Sequence, residues 1–238
     1  PCTIWFFDKN KREENHDKIL FIDARNYYTV VDKTLNEWNE WQMRNLNAIV
    51  WLYRGETERY KELIDAYSVW LGDFLERYNN ALLHPTEQTH VAYRDDIART
   101  LDAYKSILKE HQTSLKATRK KKEKDDIKEL IAIVEGQVAE ITEALDVANQ
   151  LVWLTDKFGD EGTYRDIPGL CRIASLEDVE AKQFSLTPGA YTGAEEVKDD
   201  GVDFTARMKE IHAELEQLQK QSTEIFATIK QNESLIWK

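Results

Sequence analysis

The chain is poor in turn-formers and in sulfur. Nine Gly and four Pro among 238 residues are few, which leans away from many short strands and towards long helices. Its two cysteines, Cys2 and Cys171, have no partner-like spacing. That argues against a disulfide framework and a zinc site and fits a reducing cytoplasm. No apolar run approaches the roughly 20 residues needed to cross a bilayer, so no membrane partner is expected. Basic residues are outnumbered, 32 against 44, for a net charge of -12. This weighs against coating nucleic acid by bulk charge and leaves room only for a local basic patch. Chemistry-bearing motifs are missing too. There is no glycine-rich phosphate loop, HExxH, paired-Cys motif or nucleophile elbow. The acidic pairs Asp95-Asp96, Asp125-Asp126 and Asp199-Asp200 read as solvated charge on helix faces or loops. No catalytic, cofactor-binding or metal-ligating residue is assigned.

What is present is 42% hydrophobic residues with seven Trp, enough for a real core. The chain opens on a continuous apolar run, Pro1-Cys2-Thr3-Ile4-Trp5-Phe6-Phe7, with neither an initiator Met nor a signal peptide. It reads as a strand from a larger sheet, so the chain is expected to be a piece of a longer protein. A charged turn, 8–17, separates it from a second apolar run, Lys18 to Ala24. Together they predict an antiparallel hairpin, with Asp23 and Arg25 as an ion pair at the strand end.

Helices follow. Thr34 to Tyr53 carries Thr34 and Glu37 as a capping box and Gly55 as a terminator. Thr57 to Leu83 has a broad stripe with Tyr60, Leu63, Tyr67, Leu71 and Phe74 and stops before Pro85. From Thr86 to Phe158 two heptad seams, Ile97–Leu115 and Ile127–Val152, flank a charged gap at 118–126 with nothing apolar in it. Two antiparallel helices with a charged turn near Lys120 to Asp125 explain the gap better than one very long helix. His111 on the first seam reads as a packed residue. The turn holds the strongest basic cluster, and Lys120, Lys121, Lys122 and Lys124 are candidate DNA contacts, although a solvated tip is the favoured reading of a charge run. Beyond the loop at 158–163, Ser175 and Asp178 mark a short capped helix. The last stretch, Asp199 to Lys238, repeats apolar residues in steps of four and three, with Ser222 and Asn232 at skipped seam positions: Phe204, Met208, Ile211, Leu215, Leu218, Ile225, Ile229 and Ile236. This is a heptad seam on an otherwise wet helix, and a helix that long needs a partner for its stripe.

The fold class expected is therefore mainly α, with long amphipathic, coiled-coil-like helices and a small N-terminal β-hairpin. From the residues alone, the chain is a helical interaction module attached to a piece of sheet.

Three segments add a resemblance. Pro1 to Lys11 with Ile19-Leu20-Phe21-Ile22-Asp23-Ala24-Arg25 is similar to the end of the catalytic domain in the modification (methyltransferase) subunit of type I restriction–modification systems. Tyr164-Arg165-Asp166-Ile167-Pro168-Gly169-Leu170-Cys171 resembles that family's next segment. Leu186-Thr187-Pro188-Gly189-Ala190-Tyr191-Thr192-Gly193 with Asp199-Asp200-Gly201 and Phe204 resembles its C-terminal signature. Ala190 stands where the family usually has a basic residue. The resemblance implies that the hairpin ends a methyltransferase α/β sheet. It also implies that the chain divides into the end of a catalytic domain (1–56), a helical insertion (57–162) and a subunit-interaction region (163–238). Family members transfer a methyl group from S-adenosylmethionine to N6 of adenine in duplex DNA, flipping the base out of the stack. The glycine motif for that cofactor and the Asn-Pro-Pro-aromatic catalytic motif are both missing from this sequence, so this chain alone is expected to be inactive. The partners implied are the DNA-specificity subunit, a second methyltransferase subunit, the restriction subunit, and duplex DNA through the complex. The expected anchors for the specificity subunit are Phe204, Met208, Ile211, Leu215, Leu218, Ile225 and Ile229. A non-enzymatic coiled-coil scaffold is the alternative.

Overall fold

The computed structural model describes residues 3–78, 89–194 and 204–236. It forms two compact units, Pro1–Glu195 and Glu196–Lys238. Cys2, His84-Pro85 and Asp199-Asp200-Gly201 lie outside the described residues.

The first unit is mainly helical with small antiparallel sheets. Strand β1 (Lys18–Ile22) pairs with β4 (Cys171–Ser175), from Lys18 opposite Ser175 to Ile22 opposite Cys171. Short strands β2 (Thr29–Val30) and β3 (Asn36–Glu37) pair with each other. The expected small sheet is there, but the expected partner of β1 is not. Residues 3–7 carry no strand, and Ile4, Trp5, Phe6 and Phe7 are 59–91% exposed. Nothing in the sequence next to β1 marks a strand partner some 150 residues away.

Helix α1 (Glu40–Tyr53) starts later than its apolar pattern suggests. Asp32 Oδ1 accepts from the backbone N–H groups of Thr34 and Leu35 at 2.7 and 2.9 Å. That Asx turn takes Thr34 out of helix and sends the chain into β3. The capping box is instead Asn39 with Gln42: Gln42 N–H donates to Asn39 Oδ1 at 2.8 Å and Asn39 N–H to Gln42 Oε1 at 3.0 Å. Gly55 follows the helix with φ +68°, as its C′ role requires.

Helix α2 (Thr57–Arg77) buries Tyr60, Leu63, Tyr67, Leu71 and Phe74, the stripe read from its period. Helices α3 (His90–Ala117) and α4 (Lys121–Phe158) form the expected antiparallel hairpin, with the turn at 118–120 rather than in 120–125. Thr89 caps α3 through Ala92 N–H at 3.2 Å, and Gly159 ends α4 at φ +71°. The core joins α1, α2, the first turns of α3 and the second half of α4 around Ile49, Tyr60, Tyr67, Phe74, Ile97, Ile141 and Leu154. Burying one such side chain contributes about 1.5–3 kcal/mol. On α4 the heptad seam broadens there to include Ala144, Val147, Leu151 and Leu154, because that half touches three helices and not one.

After α4 the chain turns through 159–170 into β4, then α5 (Leu176–Ala181), whose capping box Ser175–Asp178 is the one expected. The short helix α6 (Gly189–Thr192) ends the first unit's regular structure. In the second unit, α7 runs from Phe204 to Ile236.

Candidate functional site

Parts of the three segments singled out in the sequence, Phe21 to Arg25, Gly169 to Cys171 and Gly189 to Thr192, meet at one junction. Asp23 N–H, at the end of β1, donates to Leu170 O at 2.7 Å, and Gly169 N–H donates to Thr192 O at 2.9 Å. Strand β4 lies against β1, and Phe21 on β1 stacks on Tyr191 of α6 with ring centroids 3.8 Å apart and planes 5° from parallel. Asp23 and Arg25 form the expected ion pair, in bidentate form: Arg25 Nε donates to Asp23 Oδ1 at 2.8 Å and Nη2 to Oδ2 at 2.6 Å. The Asp23 side chain is 6% exposed and that of Arg25 66%. Hydrogen bonds from the Arg25 guanidinium hold the Asp23 carboxyl below its ordinary range, against an opposing push from burial. A Cβ at Gly189 would sit 2.6 Å from Arg25 Nη2 and 3.1 Å from Asp23 Oδ2, so a side chain there would displace the end of Arg25. The Cys171 thiol is fully buried and pushed up to about 11 by that burial, which makes it inert packing rather than a nucleophile.

A second polar cluster was not legible in the sequence. Asn45, with no exposed surface, donates from Nδ2 to Tyr27 Oη at 2.9 Å and to Gln150 O at 3.0 Å. Tyr67 O–H donates to Asn45 Oδ1 at 2.8 Å, and Tyr27 O–H to Gln150 Oε1 at 2.7 Å. Burial raises both phenols well above their usual value. The only available signal was two polar residues on helix-period positions, Gln42 and Asn45 ahead of Ile49 and Leu52. Among the described residues no buried side-chain polar atom lacks a partner, and no group of three or more His, Cys, Asp or Glu is placed to hold a metal. Both clusters fix the packing of distant segments.

The candidate partner residues lie on α7, in the second unit, and the candidate DNA residues at the turn between α3 and α4. Of the α7 seam, Met208 is half-buried, and Ile211, Leu215, Leu218, Ile225 and Ile229 are 37–61% exposed. Phe226, also exposed, widens the stripe beyond the heptad pattern. The side chain of Phe204 lies outside the described residues. Lys120, Lys121 and Lys122 are exposed and Lys124 is half-buried at the turn of the hairpin. No helix among the described residues is long and apolar enough to cross a membrane.

Residues 1–80 match the family model "N-6 DNA Methylase". The chain resembles a methylase subunit of the type I restriction enzymes. It is similar to the type I restriction enzyme HindI methylase subunit of Haemophilus influenzae, 41% identical over 69 residues, which cover 29% of this chain and 16% of that protein. It is also similar to the type I restriction enzyme MjaIX methylase subunit of Methanocaldococcus jannaschii, 30% identical over 63 residues, 26% of this chain and 11% of that protein. The matched segment thus spans less than a fifth of the length of either methylase subunit. No solved structure matches the chain. The methylase-like stretch, 1–80, takes in β1, α1 and α2, and these pack in one core with the α3–α4 hairpin.

Proposed function

We propose that this chain serves as the C-terminal part of a type I N6-adenine DNA methyltransferase subunit, and that its task is assembly with the DNA-specificity subunit. The match of residues 1–80 and the two methylase relatives support the family. The observation that carries the assembly role is α7, a helix of 33 residues with an apolar stripe left exposed at Ile211, Leu215, Leu218, Ile225 and Ile229 and interrupted at Ser222. A helix laid in a partner's groove presents such a stripe at steps of three and four. In this reading a second methyltransferase subunit and the restriction subunit join the same complex, which meets duplex DNA as a whole. In this reading S-adenosylmethionine belongs to the full-length enzyme, and no cofactor-binding residue is assigned to this chain. No step of methyl transfer is assigned to this chain.

The test is the double substitution Leu215→Asp, Leu218→Asp in the full-length subunit. Both side chains are exposed, so the helix should survive. Two unpaired carboxylates buried in the interface would cost about 3–5 kcal/mol or more, a loss of roughly a hundredfold or greater in affinity. Co-purification and titration with the specificity subunit read it out. Unchanged binding would overturn the proposal.

A further inference from the structure

The α3–α4 hairpin leaves the core as an arm. Leu101 is the last buried residue on α3 and Val134 the first on α4. From Leu101 to Ala117 the arm extends about 24 Å at 1.5 Å per residue, with no buried side chain along it. The arm also departs from the rest of the molecule in charge. Between Lys105 and Lys128 there are nine basic and four acidic side chains, in a chain whose net charge is -12.

The basic side chains are ordered. Lys105, Lys109 and Lys116 are exposed on α3, and their spacing places them within about 40° of one another around the helix. They make a track about 16 Å long that ends on Arg119, Lys120, Lys121, Lys122 and Lys124 at the turn. Ion pairs hold few of them: Lys120 Nζ lies 2.7 Å from Glu123 Oε1 and Lys128 Nζ 3.5 Å from Asp125 Oδ1. Among the described residues the other seven basic side chains in this stretch form no salt bridge. A helix opening on Lys120, Lys121 and Lys122 also sets cations at its positive end, and Lys120 supplies no side-chain cap. That arrangement works against the helix itself, as sequences do where binding rather than stability sets the residue. A solvated tip would not need the track.

We propose that the tip of this arm, with the lysine track behind it, is a docking site for the phosphate backbone of duplex DNA. The choice of DNA as the polyanion rests on the methylase reading above. The spacing suits it, because about 16 Å of track spans close to five phosphates along one strand at 3.4 Å each. The contact is sequence-independent. It adds a handhold on the duplex away from the base that reacts.

Binding of a fluorescein-labelled 30-base-pair duplex to the 238-residue chain, followed by anisotropy from 50 to 300 mM salt, tests it without partner or cofactor. Replacing Lys120, Lys121, Lys122 and Lys124 by Gln should lower affinity at least tenfold at 50 mM salt and reduce the salt slope by about 3 to 4. The Lys→Arg version of the same variant should bind as the parent does, and Lys9→Gln with Lys33→Gln should change neither quantity. Three results would overturn the proposal: no duplex binding by the parent at 50 mM salt, an unchanged slope in the Gln variant, or competition by poly-glutamate as strong as by unlabelled duplex. Such a failure leaves the α7 test untouched, and retention of the specificity subunit by the α7 variant leaves this one untouched.

Discussion

Phe21 and Tyr191 lie 170 positions apart in the chain and stack face to face, with ring centroids 3.8 Å apart. This contact, between β1 in the methylase-like stretch and α6 near the end of the first unit, ties distant parts of that unit together. Tyr191 is 3% exposed, and its hydroxyl donates to Ser185 O.

Tyr191→Ala should therefore lower the stability of the first unit by about 3–5 kcal/mol, and Tyr191→Phe, which keeps the stack and loses one hydrogen bond, by about 1 kcal/mol. Urea titration followed by Trp fluorescence measures both. Equal losses would mean that the hydroxyl, not the stack, holds the turn.

Two glycines should respond to alanine with opposite signs. Gly162 sits at φ +70°, and a Cβ there would lie 2.4 Å from Tyr60 Cδ1, so Gly162→Ala should destabilise by at least about 2 kcal/mol. Gly136 lies inside α4 with nothing within 4 Å of the added carbon, and Gly136→Ala should stabilise by about 0.5–1 kcal/mol. Paired thermal melts give the sign directly.

The Asp23–Arg25 pair sets an acid limit. The folded carboxyl titrates below its ordinary value, chiefly through the Arg25 hydrogen bonds. Its contribution is thus complete above the unfolded value of about 3.9 and fades as pH falls through the lower folded value. The stability gap between the parent and Asp23→Asn should stay constant from pH 8 to 5 and close only below about pH 4. A gap that closed between pH 5 and 7 would show that Asp23 is not held ionised by Arg25.

Much of this was legible from period and punctuation. The α2 stripe from Tyr60 to Phe74, the break between α3 and α4, the Ser175–Asp178 box and the Asp23–Arg25 pair all depend on neighbours in sequence. The pairing of β1 with β4 was not, because strand partners are chosen by the whole fold. Thr34 and Glu37 have the spacing of a capping box, yet Asp32 two residues earlier captured the backbone first. Asn45 carries no local mark of its burial. Its partners come from α2, α4 and the segment before β2.

Helix α4 is one unbroken element in two surroundings. From Val134 onward it contributes side chains to the core, while before Val134 none of its side chains is buried. Amides in the arm can therefore exchange with solvent through an opening that separates the two helices at the turn and stops at Val134, leaving the core intact. The outer half of α4 has a lifetime of its own, set by half-buried Leu108, His111, Leu115 and Ile127, and a ligand that grips the tip would lengthen it without altering the unfolding of the rest.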